Sequence, residues 1–449
     1  MSNRIDLKPK IDEVSSSFCL AKWLQVTIDL VHGTTHSCHH PPRHSIPVDE
    51  LRKNPSALHN TLYKKEQRKK MLEGKRPEEC SYCWNIEDLE TSHLSDRIIK
   101  STDSWALPHL EEVKQLPWDA NISPTYIEVM FGRECNLSCS YCMAQVSSSI
   151  VNEIKKYGPY DLKGDGSLHR INSMQGSSYI KEYEVAFWKW LPEVISGLKV
   201  LRVTGGEPLL NQNLNRLLDF FEANSCPNLI FAINSNLVHD KKRIGHLISR
   251  LKSLIQNQKI QKFELYSSID SYGPQAEYIR SGLNNDLYFR NLKLFKKELP
   301  HQDIIINCTF NILSIPQFRN LLGECISLKS LPGNFILDIS YLKDPEYLSP
   351  FILTDDLIPY LKSDLAFMRS SNSFTEYEIS KFERIYEWIE VKKNSLEVRM
   401  ARRDFFSFIR EYDKRKEASF LKVFPELFNL FKESGSIYFQ ESTCFETSP

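Results

Sequence analysis

The sequence predicts an α/β fold built on parallel strands, and three observations predict it. Six short β-branched or aromatic runs lie between residues 125 and 340. Amphipathic helical patterns separate them. The composition, 41% hydrophobic and 25% charged over 449 residues, is that of a folded chain able to bury a large core.

The strands are read at TYIEVMF (125–131), LKVLRVT (198–204), NLIFAIN (228–234), KFELYSSID (262–270), DIIINCTF (303–310) and NFILDIS (334–340). Between them, 179–197 places Tyr179, Tyr183, Phe187 and Trp190 on one helical stripe and ends at Gly197; 213–224 and 287–299 are amphipathic too. Strands alternating with helices imply parallel pairing through right-handed crossovers. Such a sheet either opens flat or curls toward a barrel, and in both cases chemistry sits at the carboxyl ends of its strands. Three regions follow: 1–118, rich in cysteine and histidine; the strand–helix repeat, 119–345; and a charged, aromatic helical region, 346–449.

Lysine plus arginine and aspartate plus glutamate both number 57, so no global field points to nucleic acid or a membrane surface. The N-terminus has no apolar h-region and the chain has no long apolar run, so neither a secretory signal nor a membrane span is expected, and a cytoplasmic location is. Disulfides are not expected in that compartment. Seven of the eleven cysteines precede residue 143, and clustered thiols in a reducing compartment point to metal ligation.

Cys135, Cys139 and Cys142 form C-x3-C-x2-C directly after the first strand of the repeat. Three thiolates on one loop suit a cubane iron–sulfur cluster with one iron lacking a protein ligand; the alternative is structural zinc with a fourth ligand elsewhere. The second strand closes on Thr204-Gly205-Gly206-Glu207-Pro208. With Tyr141 before the last cysteine and this GGE sequence after the next strand, the chain resembles the radical S-adenosylmethionine (SAM) superfamily.

That resemblance implies a partial (β/α)6 barrel. It implies a three-cysteine 4Fe–4S cluster whose open iron is chelated by the amino and carboxylate groups of SAM. One electron from the reduced cluster then cleaves SAM, and the 5′-deoxyadenosyl radical abstracts a substrate hydrogen, an oxidoreductase or mutase chemistry that the cofactor carries and the protein positions. Gly205 and Gly206 let backbone approach the methionyl part, and Glu207 accepts from its amino group. Asn234, Ser235 and Asn236 end the third strand, where polar contacts to SAM are expected. Ser268 and Asp270 end the fourth, where ribose-binding groups are expected, and Arg280 offers a fork to the carboxylate. Asn307 and Asn311 flank the fifth strand's end. A turn or cap role is the alternative for each of these. Gly205 lies 63 positions after Cys142, and the surplus around 157–178 reads as a lid or a tolerated insertion.

Cys19, Cys38, Cys80 and Cys83 precede the core, the first two at either end of a hairpin turning near Gly33. This looks like the auxiliary-cluster module called twitch, a shorter relative of SPASM domains, placed before the core. Together with DPEYLSP (344–350) and the stretch 405–427, it extends the resemblance over most of the chain. It implies a second 4Fe–4S cluster on four thiolates; four-cysteine zinc, or a set including His36, His39 or His40, is the alternative. The basic helix at 56–73 carries Lys64, Lys65, Arg68, Lys69 and Lys70, with Lys75 and Arg76 after it. It reads as a solvated face, as a docking patch for an acidic donor such as flavodoxin or ferredoxin, or as a contact for a phosphorylated substrate. The expected substrate is a peptide or small metabolite. The second reading is a cluster- or zinc-binding RNA-modifying or interaction protein on the same scaffold.

Overall fold

A computed structural model describes residues 7–88, 94–164 and 174–446. The N-terminal strands are β1 (Gln25–Asp29), β2 (Thr34–His36) and β3 (His44–Ser45). The repeat contributes β4 (Tyr126–Met130), β5 (Ser138–Cys139), β6 (Val200–Thr204), β7 (Cys226–Ser235), β8 (Ile260–Ser268), β9 (Arg280–Ser281), β10 (Asp303–Phe310) and β11 (Phe335–Tyr341). Each of the six expected runs forms a strand.

One sheet has the order β11-β10-β8-β7-β6-β4-β1-β2-β3. From β4 to β11 every neighbouring pair is parallel, with helices in the crossovers. The sheet does not close: β11 and β3 are its edges. The N-terminal hairpin forms as expected, β1 against β2, but it is not a separate sheet. Its first strand pairs in parallel with β4, from Gln25 opposite Tyr126 to Asp29 opposite Met130. Gly33, at φ +64°, turns this hairpin against the Tyr183 ring, where a Cβ would lie within 2.4 Å of ring atoms.

Burial largely alternates along these strands, most regularly in β4, β6 and β8, a pattern usual for sheets with one polar face and not for fully buried parallel strands. Ile127, Val129, Leu201, Val203, Phe231, Phe263, Leu265, Ile306 and Leu337 are buried and belong to the main core. Their neighbours Glu128, Arg202, Asn234, Glu264, Tyr266, Ser268, Asn307 and Asp338 are half-buried on the other face. The covering helices include Ile180–Val194, Gln212–Ala223, Lys241–Gln256 and Asn285–Glu298, and their buried positions are largely apolar. Tyr183, Phe187 and Trp190 of the predicted stripe are buried; Tyr179 is exposed.

The C-terminal region forms helices Ile358–Ser370, Glu376–Lys392, Glu397–Lys416 and Phe428–Glu446. Part of the expected lid or insertion, 165–173, lies outside the described residues. On one side of it, Asp404 accepts from the backbone N–H groups of Lys163 and Gly164; on the other, the Ser177 N–H donates to Val31 O at 2.8 Å. No helix among the described residues is long and apolar enough to cross a membrane.

Helix Leu62–Leu72 departs from the expectation of a solvated basic face. Its buried residues are Lys64, Gln67, Arg68 and Met71, while Leu62 and Tyr63 are exposed. Lys64 Nζ donates to Gln25 O and to His59 Nδ1, both at 2.9 Å. Arg68 donates to Lys22 O, Asn60 Oδ1 and Ala120 O. Buried N–H donors need such acceptors, and these tie the helix to the hairpin and to the approach to β4. Of the remaining basic residues, Lys75 pairs with Glu73 and Arg76 with Asp88.

Candidate functional site

Two loops at the carboxyl ends of adjacent parallel strands, β4 and β6, dock backbone to backbone. The Glu207 N–H donates to Glu134 O at 2.7 Å and the Gly206 N–H to Gly132 O at 3.4 Å. Both glycines are sterically required. Gly205 has φ +120°, and a Cβ on it would lie 2.5 Å from Gly132 O; one on Gly206 would lie 2.4 Å from Glu134 O. The loop leading into the three-cysteine sequence thus fills the space that the absent side chains leave.

The three thiols share this loop. Cys139 sits in β5, pairs with Arg280 of β9 and is buried; Cys135 and Cys142 are half-buried. The Ser140 N–H donates to Ile279 O at 2.8 Å and the Cys142 N–H to Cys139 O at 3.1 Å. Burial pushes the Cys135 thiol up to about 11, against the Leu137 backbone N–H and with Cys139 adding to the rise. Burial also raises Cys139, opposed by Arg280. Three thiols on one loop are the donor chemistry of a metal centre, and ligation would remove their protons.

Glu207 is 2% exposed. Its Oε1 accepts from Ser235 Oγ at 2.9 Å and the Leu209 N–H at 3.1 Å, and its Oε2 accepts from the Asn236 N–H at 2.7 Å. His239 Nε2 lies 3.4 Å from Oε1, a neighbour that the sequence did not single out. Ser235 and Asn236 therefore hold Glu207. Asn234 instead accepts from Arg202 Nε at 2.7 Å on the polar face of the sheet. Ser268 lies on that face too, beside Asn307.

Asp270 and Arg280 differ from expectation. Asp270 is fully buried and saturated: Arg280 binds both of its oxygens, Tyr141 Oη donates to Oδ2 at 2.8 Å, and the Thr309 N–H donates to Oδ1 at 2.8 Å. Arg280 Nη1 also lies 3.8 Å from Cys139 Sγ. These groups brace the thiol loop from behind. Asn311 is a cap, accepting from the Leu313 N–H at 3.0 Å.

Sequence reasoning missed the polar face. Arg202 lies over the Tyr266 ring, 3.8 Å from its centroid, reaching past Ala232 of the intervening strand. Burial disfavours its charge, but Glu128, Tyr126 and Tyr266 outweigh that and hold the guanidinium protonated. Glu264 is shifted up by burial and accepts from Tyr266 Oη at 3.1 Å. The missed signal was alternation inside parallel strands: Tyr126/Glu128, Arg202/Thr204 and Glu264/Tyr266/Ser268.

Cys19, Cys38, Cys80 and Cys83 line one cavity together with Lys22, His40, Asp96, Arg97 and Lys100. Lys22 is 2% exposed and paired with Glu79. Burial and then the neighbouring Cys19 push the Cys38 thiol up to about 11. Burial likewise pushes Cys80 up to about 12, against Lys22. Among the described residues, the group of three or more thiol, imidazole and carboxylate ligand atoms within 4.8 Å of one another is His39, His40 and Asp96; no three of the thiols are that close. His36 turns its Nδ1 to Cys38 O.

No family model matches the chain, and no curated protein matches it. Among solved structures, native anSMEcpe with bound AdoMet aligns at 17% identity and a TM-score of 0.34, over 54% of this chain and 61% of that one, less than two thirds of its length. Streptococcus suis SuiB bound to S-adenosylmethionine aligns at 13% identity and a TM-score of 0.34, over 78% of this chain and 68% of that one. SuiB bound to precursor peptide SuiA aligns at 13% identity and a TM-score of 0.32, over 78% and 70%.

Proposed function

We propose that this protein is a radical SAM enzyme, an oxidoreductase or mutase acting on a peptide or small metabolite. The observation that carries the reading is the docking of the three-cysteine loop onto the Gly205-Gly206-Glu207 loop at neighbouring strand ends. Cys135, Cys139 and Cys142 would hold a 4Fe–4S cluster in this reading, and SAM would bind beside it. When bound, the pair supplies reductive SAM cleavage and abstraction of a substrate hydrogen. The chain's own part is positional. The Glu207 loop, with Asn234, Ser235 and Ser268 nearby, receives SAM, while Tyr141, Asp270 and Arg280 hold the thiol loop at the strand ends. The polar face bearing Glu128, Arg202, Glu264 and Tyr266 receives the substrate, below the cluster loop in a sheet proposed to curl as a partial barrel.

The four N-terminal cysteines hold a second 4Fe–4S cluster in a twitch-like module. All four line one cavity, which supports a shared metal centre. Electrons come from a flavodoxin or ferredoxin, with exposed Lys69 and Lys70 as candidate contacts. Anaerobic reconstitution tests the assignment: visible cluster absorbance and about eight irons per chain are expected. Colourless protein with stoichiometric zinc would favour the zinc-binding interaction protein instead.

A further inference from the structure

We propose that His39, His40 and Asp96 form a mononuclear site for a zinc-class divalent transition metal beside the four thiols, whose cavity His40 and Asp96 also line. Two imidazole nitrogens converge on one carboxylate oxygen. His40 Nε2 lies 2.7 Å from Asp96 Oδ2 and His39 Nε2 lies 3.6 Å from the same atom. Two imidazoles and a carboxylate whose ligand atoms all lie within 4.8 Å of one another are a donor set of the kind that holds zinc.

The site is built in advance. The His40 ring stacks on Tyr82 at 3.6 Å and 12° and lies 4.2 Å from the His39 ring. Asp96 opens helix Asp96–Ser101. Two imidazoles and a carboxylate suit borderline ions such as zinc, whereas calcium and magnesium prefer all-oxygen sets. His39 is 62% exposed at its side chain, so an ion can enter from solvent and keep an open position there.

The site joins two segments that matter for the neighbouring thiols. The histidines follow Cys38 directly, and the helix beginning at Asp96 presents the Arg97 carbonyl to Cys19 Sγ at 3.9 Å. An ion here would staple the Cys38 loop to that helix. The inference does not depend on which metal the four thiols hold.

The test uses fully reconstituted holoprotein, titrated with zinc against a chromophoric chelator, with zinc and iron counted together. Wild type is expected to hold one zinc more than the His39→Ala protein. His39→Ala and Asp96→Asn should each weaken that zinc by about tenfold or more with iron content unchanged. Since His39 is exposed, its variant separates ligand loss from misfolding. Equal zinc affinity in wild type and both variants would overturn the proposal. So would zinc that disappears only when Cys80 and Cys83 are replaced.

Discussion

Arg280 grips Asp270 with two nitrogens, Nε to Oδ2 at 2.8 Å and Nη2 to Oδ1 at 3.1 Å, and both residues are buried. The pair links the end of β8 to β9, which pairs with β5, the strand that holds Cys139. It brings an ion pair, a Tyr141 hydroxyl and a Thr309 N–H to one carboxylate, so little capacity is left for a ribose.

Asp270→Ala therefore acts first on stability. It leaves a buried guanidinium without its counter-charge, which costs about 3–5 kcal/mol. Urea denaturation should show that loss, with Asp270→Asn milder because it keeps hydrogen bonds. An unchanged unfolding midpoint with weakened SAM binding would give Asp270 back its ribose role.

Gly206→Ala tests the docking of the two loops. The new Cβ meets backbone atoms Glu134 O and Arg133 C at 2.4 and 2.6 Å, which cannot rotate away. The variant should hold about four irons instead of eight, having lost the core cluster and kept the N-terminal one. Full iron content would show that the loops separate without consequence.

Replacing Cys80 and Cys83 together by alanine should also leave about four irons, now in the core. SAM cleavage should persist while substrate turnover fails. Circular dichroism distinguishes collapse of the module from loss of the metal alone. Retention of about eight irons would remove these cysteines from the ligand set.

His59 predicts how acid affects the N-terminal region. It is fully buried, accepts from Lys64 at Nδ1 and donates from Nε2 to Trp23 O at 2.7 Å. Burial first, then Lys64 and Arg68, hold its pKa well below 6.5. The unfolded chain thus binds the proton more readily. Stability is fully present above about pH 6.5 and falls as pH drops below it. Urea midpoints at pH 7.5 and 5.5 should show the decline, and His59→Gln should flatten it. A midpoint that rises on acidification would contradict this.

The six strands were legible because β-branched runs stand between helical patterns, and the two loops because cysteine and glycine spacing is local. What stayed hidden depends on contacts between distant residues. Nothing near Gln25 announces that β1 lies beside β4, a hundred positions on. Lys64 and Arg68 read as surface cations, because their acceptors are backbone carbonyls and neutral groups from other segments. Asp270 and Arg280 were read separately, as a ribose ligand and a carboxylate fork, because their partnership with each other shows only in three dimensions. The polar face was visible as alternation and was passed over because parallel strands are usually apolar throughout.

The central claim is tested most directly by anaerobic incubation of the reconstituted protein with dithionite and SAM, measuring 5′-deoxyadenosine by chromatography. Time-dependent 5′-deoxyadenosine formation is predicted for wild type and none for the protein with Cys135, Cys139 and Cys142 all changed to alanine. Equal formation by both proteins, or none by wild type carrying about eight irons, would contradict the assignment.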